Sequence, residues 1–313
     1  MFRRLSSACP WDGRRAHTGA LALALAASAG CAPSAASVAE RAPVVHQRVF
    51  LRADPHGGAW VAELLVEGDD ATLRRLRLDG CGETGAEVAT PDSARAAAQA
   101  VRSGSRLERA LPDAGAADWR DALDLGGGFR VEVVSTADRF GPARTVRLAG
   151  PDGATTEIDR APADARVTLA RAGADALAIR LEGPGLLRDV RVADLAAARA
   201  RVHVALGEAA LAAGRPGEAM AQARQALRRA PQPPPWSCHE EAGAAAWLEA
   251  RALQARGAAA DRVVEALARA VAVDPTRYRM WARTAAHFAP LHEDPRFQAL
   301  VEPQPLPGTT GAR

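Results

Sequence analysis

Lysine and asparagine are absent from these 313 residues, and isoleucine occurs only twice. All 40 basic residues are therefore arginine. The missing types share AT-rich codons, so the bias is that of a GC-rich coding sequence. The absences also exclude chemistry. Without lysine there is no Walker-type phosphate loop, no Schiff-base nucleophile and no Ser-Lys dyad. Without asparagine there is no Cys-His-Asn nucleophile set and no N-glycosylation sequon. No G-x-S-x-G occurs, so a nucleophile elbow has no local support. Aromatic residues make up only 4% of the chain, which disfavours stacking on sugars. Long apolar runs are missing too. The run at residues 20–27 is far short of the roughly 20 residues a membrane-spanning helix needs.

That short run has a recognisable setting. Arg3, Arg4, Arg14 and Arg15 precede it, and Ser28, Ala29 and Gly30 follow it. Basic head, apolar centre and small-residue site are the order of a secretory signal peptide. Ser28-Ala29-Gly30-Cys31 resembles the lipobox of bacterial lipoproteins, which implies that Cys31 becomes the acylated first residue. Ala32 after it implies, by the same resemblance, sorting to the outer membrane, facing the periplasm. Ala27-Ser28-Ala29 also fits the A-x-A site of an ordinary signal peptidase, so soluble periplasmic or secreted export stays open. The chain divides into a signal at 1–30, a small-residue tether at 31–44, a β-rich domain at 45–192, a helical domain at 193–302 and a disordered tail at 303–313. Once residues 1–30 are removed, 36 arginines face 36 carboxylates, so the formal charge gives no support to a nucleic-acid partner.

Four cysteines are present. Cys9 leaves with the signal, and acylation of Cys31 would leave Cys81 and Cys238 as an even pair. In an oxidising compartment that pair is a disulfide candidate, with two unpaired loop thiols as the alternative.

Between residues 45 and 192, short alternating segments predict strands near 48–53, 59–67, 72–78, 128–135, 143–149, 154–159, 165–171, 175–182 and 187–193. Val146 and Leu148 alternate around Arg147, then Pro151-Asp152-Gly153 marks a turn. One helix is expected at 92–103, after Pro91. The fold class is α+β: an antiparallel β-rich domain, sandwich or barrel-like, followed by helices.

The helical part carries a family signal. In residues 206–231, Leu206 and Gly207 form a Leu-Gly pair, Ala210, Ala219 and Ala226 recur as small residues, and Pro231 closes the unit. This pattern resembles a tetratricopeptide repeat. Leu248, Ala252, Ala270 and Pro275 take matching places in a second copy, and residues 285–301 resemble the segment that closes such arrays. The resemblance covers about a third of the chain. It implies stacked helix pairs and a protein or peptide partner in a concave groove. Counting from the leucines places Arg201, Val204, Glu208, Trp247 and Gln254 on that groove. Two units need a cap, and the β-rich domain is expected to supply it by packing on the first helix near Leu195.

Other clusters read as structure. Cys238-His239-Glu240-Glu241 lacks a second ligand cluster at metal spacing, and its glutamates suit a helix N-terminus. Gly126-Gly127-Gly128 lacks the lysine of a phosphate loop and precedes a strand, as a hairpin or boundary loop would. No cofactor, metal or catalytic set is expected. The leading expectation is a non-enzymatic envelope lipoprotein that binds protein through its repeats. The alternative is an envelope hydrolase or glycan-binding protein with its site in the β-rich domain. A pocket lined by both Trp60 and Trp119 with carboxylates would favour the latter.

Overall fold

The computed structural model describes residues 45–55, 58–111, 114–115, 117–183, 188–230 and 240–302. Four strands open it: β1 (Val45–Ala53), β2 (Ala59–Glu67), β3 (Asp70–Asp79) and β4 (Gly82–Val88). Two helices follow, α1 (Pro91–Arg102) and the single turn α2 (Leu107–Ala110). Then come β5 (Ala122–Gly126), β6 (Phe129–Asp138), β7 (Gly141–Ala149), β8 (Thr155–Pro162), β9 (Arg166–Arg171), β10 (Ala176–Glu182) and β11 (Arg188–Asp194). The class is α+β, as the sequence predicts.

The first sheet has the order β4-β3-β2-β1-β11-β10-β9, and the second is β5-β6-β7-β8. Every pairing is antiparallel except β1 with β11, joined at Gln47 and Arg188. β2 is apolar almost throughout because both its faces are covered. Ala62, Leu64 and Val66 pack under α1, while Ala59 and Val61 join Phe50, Leu76 and Val190 on the other side. α1 has a capped start, with Thr90 Oγ1 accepting from the Ser93 amide and Pro91 in the first turn. Its buried face is Ala94, Ala97, Ala98 and Val101, the spacing of one helical stripe.

Two strands escape the sequence pattern. β4 has no buried residue, and Arg74 of β3 holds Glu83 at 2.8 Å. β5 has five residues, too few to show a period. The glycine triplet is the turn between β5 and β6, and Gly126, Gly127 and Gly128 have φ of 76°, 63° and 80°. Only glycine takes that region without strain, so the run belongs to a hairpin.

Where the sheets meet, Phe129, Val131, Val146 and Leu148 of the second pack on Val167, Leu169, Leu177, Ile179 and Leu181 of the first. Leu195, Ala198 and Val202 close the same core from α3 (Leu195–Ala212), and Leu206 packs against it. The β-rich part thus covers the first helix. Asp194 caps α3 by accepting from the Ala197 amide at 2.9 Å. The remaining helices are α4 (Pro216–Arg229), α5 (Glu241–Ala255), α6 (Ala260–Val273) and α7 (Pro275–Thr284), then a 3-10 turn at Ala286–Leu291 and α8 (Pro295–Val301). The described residues belong to one compact unit.

A buried carboxylate ties β1, β2 and β3 together. Glu63 is 8% exposed. It accepts from His46 Nε2 at 2.9 Å and Arg48 Nε at 2.8 Å, with Arg74 at 3.5 Å; Asp189 stands 3.7 Å from Arg48 on the far side. The His46 hydrogen bond, aided by Arg48 and opposed by burial, lowers the Glu63 pKa to about 2. A depressed carboxylate stabilises the fold above its unfolded pKa, and that stability is lost as pH falls toward the folded value. Glu63→Gln is expected to cost about 2 kcal/mol at pH 7 and progressively less below pH 4.5. Urea denaturation at pH 7 and pH 3 checks this; an equal cost at both pH values would show that the carboxylate charge is not responsible.

Candidate functional site

The helical region is built from close approaches that small residues permit. α3 and α4 form one antiparallel pair, α5 and α6 the next, and α3 lies beside α5. Ala210, Ala219, Ala223, Leu248 and Ala252 make one cluster between them, and Ala200, Ala226 and Ala245 another. A Cβ on Gly207 would stand 2.3 Å from Leu248 Cδ2 and 3.3 Å from the Ala219 carbonyl oxygen. The backbone of α3 therefore runs where a side chain would separate the helices. Gly214 and Gly257 turn the chain within each pair, with φ of 69° and 66°.

Residues expected on the groove fall into two groups. Arg201 Nη1 donates to Glu241 Oε1 at 2.6 Å, and Arg251 Nη1 donates to both carboxylate oxygens of Glu208 at 2.5 and 2.6 Å. Both ion pairs bridge α3 and α5. Arg201 and Glu208 keep 34% and 40% of their side-chain surface in solvent, whereas Glu241 keeps 7%. Gln254, three residues past Arg251, is half-buried. Val204 packs against Ala200, Ala226 and Ala245. Trp247 is 8% exposed, covered by Tyr278, Trp281, His287 and Phe288. Burial, together with the nearby Arg251, pushes the His287 pKa down.

Glu241 and Arg251 complete this face; the sequence points to Glu241 only as a helix N-terminal residue, and Arg251 carries no signal of its own. Their separations from Arg201 and Glu208 are 40 and 43 residues. These bracket the 42 residues between Leu206 and Leu248, so opposite charges one repeat apart were the available signal. At the α5 N-terminus, Glu240 accepts from Arg277 Nη2 of α7 at 3.1 Å, and that carboxylate raises the Arg277 pKa further. On α3, His203 is 7% exposed, bonded to Gln222 Oε1 at 2.8 Å and edge-on to Phe129, and burial lowers its pKa.

Cys81 is disulfide-bonded. Cys238 and the lipidation candidate Cys31 lie outside the described residues. Trp60 and Trp119 belong to separate clusters: Trp60 packs with the residues under α1, and Trp119 with Phe50 on the other side of β2. Among the described residues, no three His, Cys, Asp or Glu side chains converge as metal ligands, and no helix is long and apolar enough to cross a membrane. No family model, curated protein or solved structure matches the chain.

Proposed function

We propose that this is a non-enzymatic, lipid-anchored protein of the bacterial cell envelope that binds a protein or peptide along the α3–α5 face. The observation that carries the reading is the two ion pairs bridging stacked helix pairs, Arg201–Glu241 and Glu208–Arg251, in which both arginines and Glu208 stay partly in solvent over a buried Glu241. Partly solvated arginines over a packed, small-residue interior can engage an extended peptide or a helix without rearranging the fold. The tetratricopeptide resemblance and the signal sequence at 1–30, followed by a tether that begins at Cys31, support the same assignment. Trp60 and Trp119 would favour a hydrolase or glycan-binding site if they shared one wall, and they do not.

A charge swap tests the face while keeping its ion pair. The Glu208→Arg, Arg251→Glu double variant retains opposite charges on α3 and α5 but reverses their positions. With a photo-crosslinking residue at Gln254, the wild-type face is expected to capture an envelope protein in its own cell. The swap should weaken that capture about tenfold or more. Unchanged capture by a folded swap variant would remove this face from the proposal. In the same cells, Cys31→Ser should release the protein from the membrane fraction. A serine variant that sediments as wild type does would eliminate the lipid anchor.

A further inference from the structure

A cleft of about 290 Å3 opens on the β-rich region, remote in sequence from the helical face. Arg106, Glu108 and Arg109, at and around α2, form one side; Trp119, Arg180 of β10 and Val190 of β11 form another. Arg180 is the unusual member. Its side chain is only 21% exposed, and its guanidinium lies over the Trp119 ring at 4.5 Å. Nε is engaged by Thr168 Oγ1 at 3.1 Å, with Glu182 at 4.0 Å. Among the described residues, neither terminal amino group of Arg180 makes a hydrogen bond. Burial lowers its pKa, opposed by the Glu182 and Glu108 carboxylates, and the nearer of these, Glu182, reaches Nε at 4.0 Å without taking the place of water at the two amino groups.

The surrounding charges do not fill that role. Arg106 and Arg109 are exposed and make no ion pair among the described residues. Glu108, the single carboxylate of the lining, has Arg188 4.0 Å from its Oε2. Within the lining three guanidinium groups therefore face one carboxylate, and Glu182, outside the lining, approaches Arg180 only on its Nε side. Arg180 is held by stacking and by its Nε bond, so its two amino groups form a fixed fork. Such a fork matches the paired oxygens of a carboxylate or phosphate, and charge-assisted bonds of this type are the strong ones.

We infer that this cleft binds a small ligand bearing a carboxylate or phosphate, with the oxyanion on the Arg180 amino groups, Arg106 and Arg109 supplying further positive charge, and the ligand's apolar part against Val190 and Trp119. The size suits a single small molecule or one terminal group of a longer one. The inference is independent of the partner proposed for the helices.

The test uses the full chain labelled with 5-fluorotryptophan, with the Trp119 resonance assigned from Trp119→Phe. Phenyl phosphate and benzoate are titrated separately by 19F NMR, with sodium chloride holding ionic strength constant. A saturable shift of the Trp119 signal is expected, with a Kd on the order of 1 mM, as a few charge-assisted hydrogen bonds provide. A response to phenyl phosphate alone assigns phosphate, to benzoate alone carboxylate, and to both the shared oxyanion. Arg180→Gln should abolish saturation. Arg106→Gln with Arg109→Gln alters only exposed side chains and should weaken binding about tenfold; it decides the matter if Arg180→Gln fails to fold. No saturable shift with either probe, or equal binding by the exposed double variant, overturns the inference.

Discussion

Trp247→Ala is expected to destabilise the C-terminal helices by about 4 kcal/mol, the usual cost of truncating a buried large aromatic. The ring stands 5.3 Å from Phe288, 5.6 Å from Trp281 and 5.8 Å from Tyr278, centre to centre. Each such pair adds about 0.5–1.5 kcal/mol beyond the area it buries. The alanine variant loses all of them at once and leaves a cavity between α5, α7 and the 3-10 turn. Trp247→Phe should keep most of the packing and lose about half as much. Urea denaturation followed by circular dichroism measures both. A loss below about 1.5 kcal/mol for the alanine variant would show that the closing helices do not lean on this ring.

Residues 193–302 made alone are expected to lose cooperative unfolding. In the whole chain Leu195, Ala198 and Val202 are at most 1% exposed, packed on strands of both sheets. Cutting at residue 193 turns that stripe to water. Burial of a single leucine or valine side chain contributes about 1.5–3 kcal/mol, and two repeats have little stability to spare. The fragment should show a broad thermal transition and self-associate. Leu195→Glu with Val202→Glu should restore solubility to the fragment by giving it a polar outer face. The same pair in the full chain should prevent folding, because it places two unpaired carboxylates in the core. A fragment that is monomeric and melts sharply without these changes would show that the repeats need no cap.

β6 and β7 announce themselves through alternation, since each has one face in the shared core and one nearer water, whereas β9 and β10 read as short apolar runs because both their faces are covered. β4 gives no such signal, because backbone pairing to β3 holds it and it buries no residue. The packing of Leu195 on the strands follows from a simple need: the first helix of an array has an apolar side and no helix before it. Trp247 is different. Counting along a repeat places it on the inner face, and nothing local reveals that Tyr278, Trp281 and Phe288, some 30 to 40 residues later, fold back over it. In a chain with 4% aromatics, that concentration is a tertiary fact that composition averages away. Arg180 is equally hidden: one arginine among 40 in the sequence, it stands out only where Trp119 stacks on it and its amino groups have no hydrogen bond among the described residues.

The parallel contact between β1 and β11 has a mechanical meaning. β1 is the first described strand, and β11 leads directly into α3 from its opposite end. A pulling force that enters at Val45 and leaves through Leu195 runs along both strands. β1 is also paired with β2 from Val45↔Val66 to Ala53↔Ala59, so the load shears a whole ladder instead of unzipping it one rung at a time. Resistance to such a pull is governed by the barrier to unfolding, so tension between the chain's entry and its helices would be borne by the sheet as a unit.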